Sequence, residues 1–160
     1  AKEIKSLNNK LGTFVSEVSA DAWQLLDIHA GIPVIKQANI EAFVPQMINL
    51  QAINGLSFKK GCYPGQEVVA RMQYLGKLKR RMYLAHCDLD TPPNPGAEIF
   101  CHAPETRKAG VVLLAQPSAQ GGVDMLIVTE IEATENQTLF ANTDKNAPIQ
   151  IHELPYSLDA

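Results

Sequence analysis

Residues 59–76, KKGCYPGQEVVARMQYLG, contain a turn signal followed directly by a helical pattern. Pro64 and Gly65 predict the turn, and the helix is expected to open at Gly65 and to end before Gly76. One face of this helix is predicted to be buried, because apolar residues recur at helical spacing: Val68, Val69, Met72 and Leu75.

Cys62 lies just before the predicted helix N-terminus, where unpaired backbone N–H groups carry partial positive charge. Lys59 and Lys60 add positive charge beside it. These charges favour the thiolate, so Cys62 is a candidate reactive cysteine. The same groups are equally suited to binding an anionic ligand. A third interpretation, that Cys62 is a packing residue among solvated lysines, stays open from the local sequence.

Glu67 and Arg71 are four residues apart on the predicted helix. A carboxylate in the first helical turn is stabilised by the helix dipole, and the spacing suits an ion pair with the arginine. A role in holding a ligand is the alternative for both residues. The sequence does not separate the two interpretations.

Residues 60–67, KGCYPGQE, resemble the signature K-G-C-[FY]-x-G-Q-E of the YgfZ family. These are folate-binding proteins related to the glycine cleavage T-protein, an aminomethyltransferase. The similarity continues downstream through residues 69–71, Tyr74, Gly76 and Lys77. Upstream it extends through WQLLDIHAGIP at 23–33 and FVPQMINL at 43–50.

The resemblance implies a protein that binds tetrahydrofolate and supports the assembly or repair of iron–sulfur enzymes, including some that modify tRNA. It assigns the catalytic role to Cys62. It assigns cofactor binding to four further residues of the signature region: Lys60, Tyr63, Glu67 and Arg71. Folate and iron–sulfur proteins, or the machinery that assembles them, are the partners it implies.

Two other functions are compatible with the resemblance. One is a true aminomethyltransferase that transfers a one-carbon unit to tetrahydrofolate, although T-proteins lack the K-G-C pattern. The other is a non-enzymatic interaction module in which Cys62 is structural. Whether the protein is an enzyme is left undecided. Full-length family members carry a substantial N-terminal portion that supplies much of the folate cavity, so the folate site is expected to be incomplete in this chain.

The composition is that of a globular protein, with 46% hydrophobic and 19% charged residues among 160. A net charge of −3 argues against direct nucleic-acid binding through bulk electrostatics. The basic residues at 77 and 79–81 are interpreted as a solvated strand entry. The three cysteines form no CxxC pair, which favours reduced thiols in the cytoplasm. No apolar run is long enough for a membrane span, so no membrane contact is expected.

The predicted fold class is α+β, and a change in composition after Gly76 divides the chain. Residues 1–76 are predicted to form a partial T-protein-like folate-binding α/β region, and residues 77–160 a small antiparallel β-barrel. The first part is assigned a strand at 11–18 after a turn at Asn8 and Asn9, a helix at 20–30 capped by Ser19, and helical pieces at 40–53 broken by Pro45. The second part is assigned strands at 78–89, 98–102, 109–115, 123–133, 139–141 and 149–154, with a turn at 120–122.

Two pairs of adjacent residues, His86-Cys87 and Cys101-His102, have the residue types of a zinc site. Adjacent residues on a strand point to opposite faces, so neither pair converges easily on one ion. No metal site is therefore expected, and Cys87 and Cys101 are predicted to be packing residues. His29 is interpreted as a surface or hydrogen-bonded histidine in preference to a ligand.

Overall fold

The computed structural model describes residues 2–12, 14–102, 105–142 and 147–158. Within them, the first half contains the helices α1 (Lys2–Leu11), α2 (Ala20–His29) and α3 (Gln66–Tyr74), with short 3₁₀ turns at Gln37–Asn39 and Pro45–Ile48. The second half contains strands β1 (Arg80–Cys87), β2 (Glu98–His102), β3 (Thr106–Pro117), β4 (Val123–Glu130), β5 (Leu139–Phe140) and β6 (Ile149–His152), with helix α4 (Ile131–Asn136) between β4 and β5.

The described strands form one antiparallel sheet in the order β5-β2-β3-β4-β1-β6. A bridge between Phe140 and Pro148 connects the β5 side of the sheet to the residue that precedes β6. The sheet therefore curls towards closure and forms a partly closed barrel. The predicted α+β class, with helices followed by an antiparallel barrel, is confirmed. The division between residues 76 and 77 stays a prediction.

Both faces of the central strands are buried. One face fills the barrel interior, where Ala85 and Cys87 of β1 pack with Met125 and Ile127 of β4. The other face packs under the helical half of the chain: Met82, Leu126 and Val128 form a cluster there with Ile28 of α2 and Ile48. A strand covered on both faces needs apolar residues at nearly every position, which explains the run in β4.

Three buried amide side chains tie the segment between α2 and α3 to its surroundings. Asn39 Nδ2 donates to the carbonyl of Leu113 at 3.2 Å, beside the irregularity in β3. Asn49 Nδ2 donates to the carbonyl of Met82 at 3.0 Å. Gln46 Nε2 donates to the carbonyl of Val69 at 2.7 Å. Buried amides with such partners fix the segment against both the barrel and α3.

The segment after β6 returns to the end of α2. The Tyr156 hydroxyl donates to the Gly31 carbonyl at 2.8 Å, and burial raises the pKa of Tyr156. Gly31 has φ +66°, and a Cβ atom there would lie 2.7 Å from the Tyr156 ring. Only glycine therefore suits this position, both for its backbone conformation and for the close approach of the tyrosine.

Most of the local predictions are confirmed. Helix α2 begins after Ser19, whose hydroxyl accepts a hydrogen bond from the Ala22 N–H at 3.3 Å. Helix α3 begins after Gly65, as expected from the turn signal. The predicted strands correspond to β1–β6, and Gly121 and Gly122 form the turn between β3 and β4 with positive φ.

Three predictions are wrong. The segment 11–18 is not a strand: α1 runs through Asn8 and Asn9 to Leu11, with Glu3 and Lys10 at the ends that the helix dipole favours. The rest of that segment is irregular where it is described, and Thr13 lies outside the described residues. Residues 40–53 form one 3₁₀ turn and irregular turns in place of two helical pieces, because Pro45 and the left-handed Asn49 interrupt the chain.

The third error is at the end of β4. The strand stops at Glu130, and residues 131–136 form α4. Glu130 is opposite Arg80, the first residue of β1, and only one further backbone hydrogen bond follows on that side, from the Ile131 N–H to the Lys79 carbonyl at 3.0 Å. Without a partner strand, the local helical preference of the IEATEN segment decides its conformation.

Candidate functional site

The loop before α3 is closed by reciprocal hydrogen bonds between Tyr63 and Gln66. The Gln66 N–H donates to the Tyr63 carbonyl at 3.2 Å, and the Tyr63 N–H donates to the Gln66 Oε1 at 3.4 Å. Gly65 lies between them with φ +82°, a conformation that favours glycine. This arrangement fixes where the chain enters the helix, and it places residues 60–63 directly before the helix N-terminus.

Cys62 is exposed, whereas the side chains of Cys87 and Cys101 are 0% exposed. Burial raises the pKa of both Cys87 and Cys101. The Cys87 thiol also donates to the Ala147 carbonyl at 3.4 Å. The prediction that Cys87 and Cys101 are packing residues is confirmed, and Cys62 differs from them by being open to solvent.

Lys60 lies over the ring of Tyr63, with its Nζ 4.4 Å from the ring centroid. This cation–π contact holds an ammonium group beside the half-buried tyrosine and close to Cys62 in the chain. Gly61 and Gly65 have no atom within 4 Å of where a Cβ would be. The space next to both glycines is therefore free of other atoms of the described chain.

Glu67 and Arg71 are both exposed on α3, and the described structure contains no ion pair between them. The helix brings them onto the same side, one turn apart, as their spacing predicts. Cavities of about 660, 780 and 880 Å³ elsewhere in the described structure are lined by other residues. The five predicted site residues thus share one short segment, on an open surface.

The predicted buried face of α3 is only partly correct. Val69 is buried and Met72 is half-buried, but Val68 is 56% exposed and Leu75 is 85% exposed. The helix contacts the rest of the molecule chiefly through the segment that contains Gln46. Helical spacing predicts which residues share one face of α3. It does not predict how few residues of the rest of the chain pack against that face.

A second polar site was not predicted from the sequence. Asp124 of β4 accepts hydrogen bonds from His29 Nε2 at 2.8 Å and from His86 Nδ1 at 2.7 Å. A carboxylate only accepts, so both ring nitrogens carry a proton. Burial raises the pKa of Asp124, but the hydrogen bonds from His86 and His29 outweigh it, and the pKa is lowered.

This cluster lines a cavity of about 660 Å³ together with His152 and residues of the β3–β4 turn. Its three members come from α2, β1 and β4, far apart in sequence, so only the folded sheet brings them together. The interpretation of His29 as a hydrogen-bonded histidine is confirmed. Within the described part of the chain, no group of three or more His, Cys, Asp or Glu residues is arranged to hold a metal ion.

The two residues of each His–Cys pair face opposite sides of their strand, as the strand periodicity predicts. Cys87 points into the barrel while the neighbouring His86 points outward to Asp124. Cys101 is buried in the barrel, and the adjacent His102 is exposed. No helix among the described residues has the length and apolar character needed to cross a membrane.

No family model matches the chain. Among curated proteins, it is 39% identical over 154 residues to the tRNA-modifying protein YgfZ of Pectobacterium carotovorum, which covers 96% of this chain and 46% of that protein. It is 38% identical to the proteins of the same name from Pectobacterium atrosepticum and Escherichia coli, again over 96% of the chain. The chain spans about half the length of these relatives. Because the identity extends along nearly its whole length, the chain belongs to the YgfZ family.

Proposed function

We propose that the chain takes part in tRNA modification, as the name of its relatives suggests, and that Cys62 is the residue through which it acts. The observation that carries this proposal is the contrast among the cysteines. Cys62 is exposed before a helix N-terminus with Lys60 beside it, whereas Cys87 and Cys101 are sealed in the barrel. A thiol kept at the surface between lysines and a helix terminus is suited to chemistry with a partner.

The proposed ligand is tetrahydrofolate, a carrier of one-carbon units. Lys60 and Arg71 offer cations for its carboxylates, the Tyr63 ring offers a stacking surface, and Glu67 offers an acceptor for ring N–H groups. These donor types fit the ligand, although together they form only one wall of a site. In this proposal, the remaining wall is supplied by parts of a full-length family protein.

The proposed protein partners are iron–sulfur enzymes that modify tRNA, or the proteins that assemble their clusters. Cysteine thiolates are the usual ligands of such clusters, so an accessible thiol is the group that a partner of this kind would engage. Cys62 meets that requirement by its exposure. The protein would then act on tRNA through the enzymes it maintains, in keeping with its net charge of −3.

Genetic complementation tests the role of Cys62. An Escherichia coli strain that lacks its YgfZ protein would express a chimera in which this chain replaces the aligned segment of the E. coli relative. We expect the chimera to restore the modified tRNA nucleosides detected by mass spectrometry, and Cys62→Ser to abolish the restoration. Gln73→Ala, an exposed change on α3, is the matched control and should be neutral. Full restoration by Cys62→Ser would contradict the proposal.

Ligand binding is tested separately by titrating tetrahydrofolate into the chimera and into the isolated chain. We expect tighter binding by the chimera, and weaker binding after Lys60→Ala or Tyr63→Ala. Gln73→Ala again serves as the control. Unchanged affinity in both variants would show that the signature loop does not bind folate. The role of Cys62 would then still be decided by the complementation experiment.

A further inference from the structure

A groove of about 780 Å³ lies between β1 and the segment that follows β6. Arg81 and Tyr83 of β1 line one side, and Ile151 of β6 lines another. The residues after β6, at positions 153–158, form the remaining wall. The groove does not include the Cys62 loop, and it shares only His152 and Glu153 with the cavity at the Asp124 cluster.

Arg81 differs from the arginines around it in having no anionic partner. Arg80 and Arg107 both interact with Glu130, at 3.6 and 2.7 Å respectively. Because adjacent strand residues face opposite ways, Arg81 is turned away from its neighbour Arg80 and towards the groove. In the described part of the chain, its side chain forms no ion pair or hydrogen bond, and its Nε is buried without a partner.

A half-buried guanidinium without a counter-charge is unfavourable, because it gives up hydration and receives nothing in exchange. We propose that this groove is a binding site for an organic anion, whose carboxylate or phosphate group pairs with Arg81. Guanidinium groups bind both kinds of anion through paired, parallel hydrogen bonds. This proposal is independent of the role of Cys62.

The walls of the groove indicate what the rest of the ligand is like. Tyr83 and Ile151 present apolar surface beside Arg81. The Tyr83 hydroxyl accepts a hydrogen bond from Thr134 Oγ1 at 3.3 Å, which holds the ring in place. A ligand with an apolar or aromatic body next to its anionic group would use both features.

Glu153 is the acidic residue that also lines the groove, and the described structure shows no ion pair between it and Arg81. Its charge opposes an incoming anion. Removing that charge should therefore strengthen binding.

The experiment is a titration of the chain, followed by NMR, with benzoate and with phenyl phosphate as probes and chloride at equal ionic strength as the control. The two probes distinguish carboxylate from phosphate ligands. We expect saturable shifts at the amides of Tyr83 and Ile151 with at least one probe. Arg81→Gln should weaken binding by about tenfold or more, whereas Arg80→Gln, on the opposite face, should change it by less than about twofold.

Glu153→Gln should tighten binding, and Arg81→Lys should bind less well than the wild type because it lacks the paired donors. The NMR spectrum of each variant reports whether it is folded. If Arg81→Gln does not fold, the shifts of the wild-type chain and the effects of Arg81→Lys and Glu153→Gln decide the matter. The proposal is overturned if neither probe shifts the groove amides saturably, if Arg81→Gln binds as well as the wild type, or if Arg80→Gln loses as much affinity.

Discussion

The three cysteines show how far the surroundings of one residue type determine its chemistry. Cys87 and Cys101 lie on strands with their side chains in the barrel, where burial raises the pKa of each thiol. Cys62 lies in a loop with its side chain in solvent. Access therefore favours Cys62 as the reactive thiol, and the raised pKa values of Cys87 and Cys101 disfavour those two.

Native alkylation with iodoacetamide at neutral pH is expected to modify Cys62 first, with Cys87 and Cys101 protected until the barrel opens. Peptide mapping by mass spectrometry measures the order. In urea all three cysteines should react, which serves as the control. Equal labelling of the three in the folded protein would contradict the proposed site.

The hydrogen bonds of Asp124 make a pH-dependent contribution to stability. Its pKa in the folded protein is lowered from an ordinary value of 3.8, since hydrogen bonds from the histidines outweigh burial. A group with a lowered folded-state pKa stabilises the fold above its unfolded pKa, and this stabilisation is lost as the pH falls through the folded pKa.

Asp124→Asn is therefore expected to lower the free energy of unfolding by about 1–3 kcal/mol at pH 7. The difference from the wild type should shrink as the pH falls from 3.8 through the lower pKa of the folded state, because the carboxylate becomes protonated first in the unfolded and then in the folded protein. Urea unfolding at a series of pH values measures it, with the exposed Asp90→Asn as control. A difference that stays constant across the series would show that the carboxylate charge is not responsible.

At the scale of the element, α3 depends on the conformation of a single residue at its start. Gly65 has φ +82°, and no atom lies near the position of a Cβ. A residue with a side chain would therefore have a strained backbone at this position, but its Cβ would not clash with other atoms. Gly61, four residues earlier, has the same free space without the positive φ.

Gly65→Ala is expected to cost about 1–2 kcal/mol, because L-residues are disfavoured in the left-handed region. Gly61→Ala is the matched control and should be close to neutral. Hydrogen exchange of the α3 amides measures the local effect, and thermal unfolding measures the global one. Equal protection of α3 in both variants would contradict the role given to Gly65.

Elements with their own start and stop signals could be predicted from the sequence. Ser19 capped α2 and Gly65 opened α3 as expected, and the glycine turn at 121–122 joined two strands. The strand assigned to residues 11–18 and the long strand at 123–133 failed, because the partner strands decide where pairing ends. The proximity of Lys60, Cys62 and Tyr63 could be predicted because they are neighbours in the chain, and their roles stay predictions. The Asp124 cluster had no local signal, because its members are far apart in sequence.

At the scale of the whole molecule, the close packing of β3 on β4 constrains the barrel. Gly110 faces Thr129 across the two strands. A Cβ on Gly110 would collide with the Val128 carbonyl oxygen and would lie 2.7 Å from the Thr129 Cβ. Backbone atoms cannot move aside as the end of a side chain can, so the strands would have to separate.

Gly110→Ala is expected to destabilise the whole fold by about 1–3 kcal/mol through overpacking. Its effect should appear as a lower urea midpoint with cooperative unfolding retained. Gly61→Ala provides the same chemical change at an open position. A wild-type midpoint for Gly110→Ala would show that the strands can separate at no cost.

The contact between Tyr156 and Gly31 also has a consequence for how the protein is made. The tyrosine is translated 125 residues after the glycine whose carbonyl it binds. Strand β6, which precedes it, completes the edge of the sheet beside β1. A nascent chain on the ribosome can form α2 early. The hydrogen bond between Tyr156 and Gly31 can form only after residue 156 has left the exit tunnel. Until then, the apolar surface beneath α2 has only part of its cover, and a chaperone has its best opportunity to act.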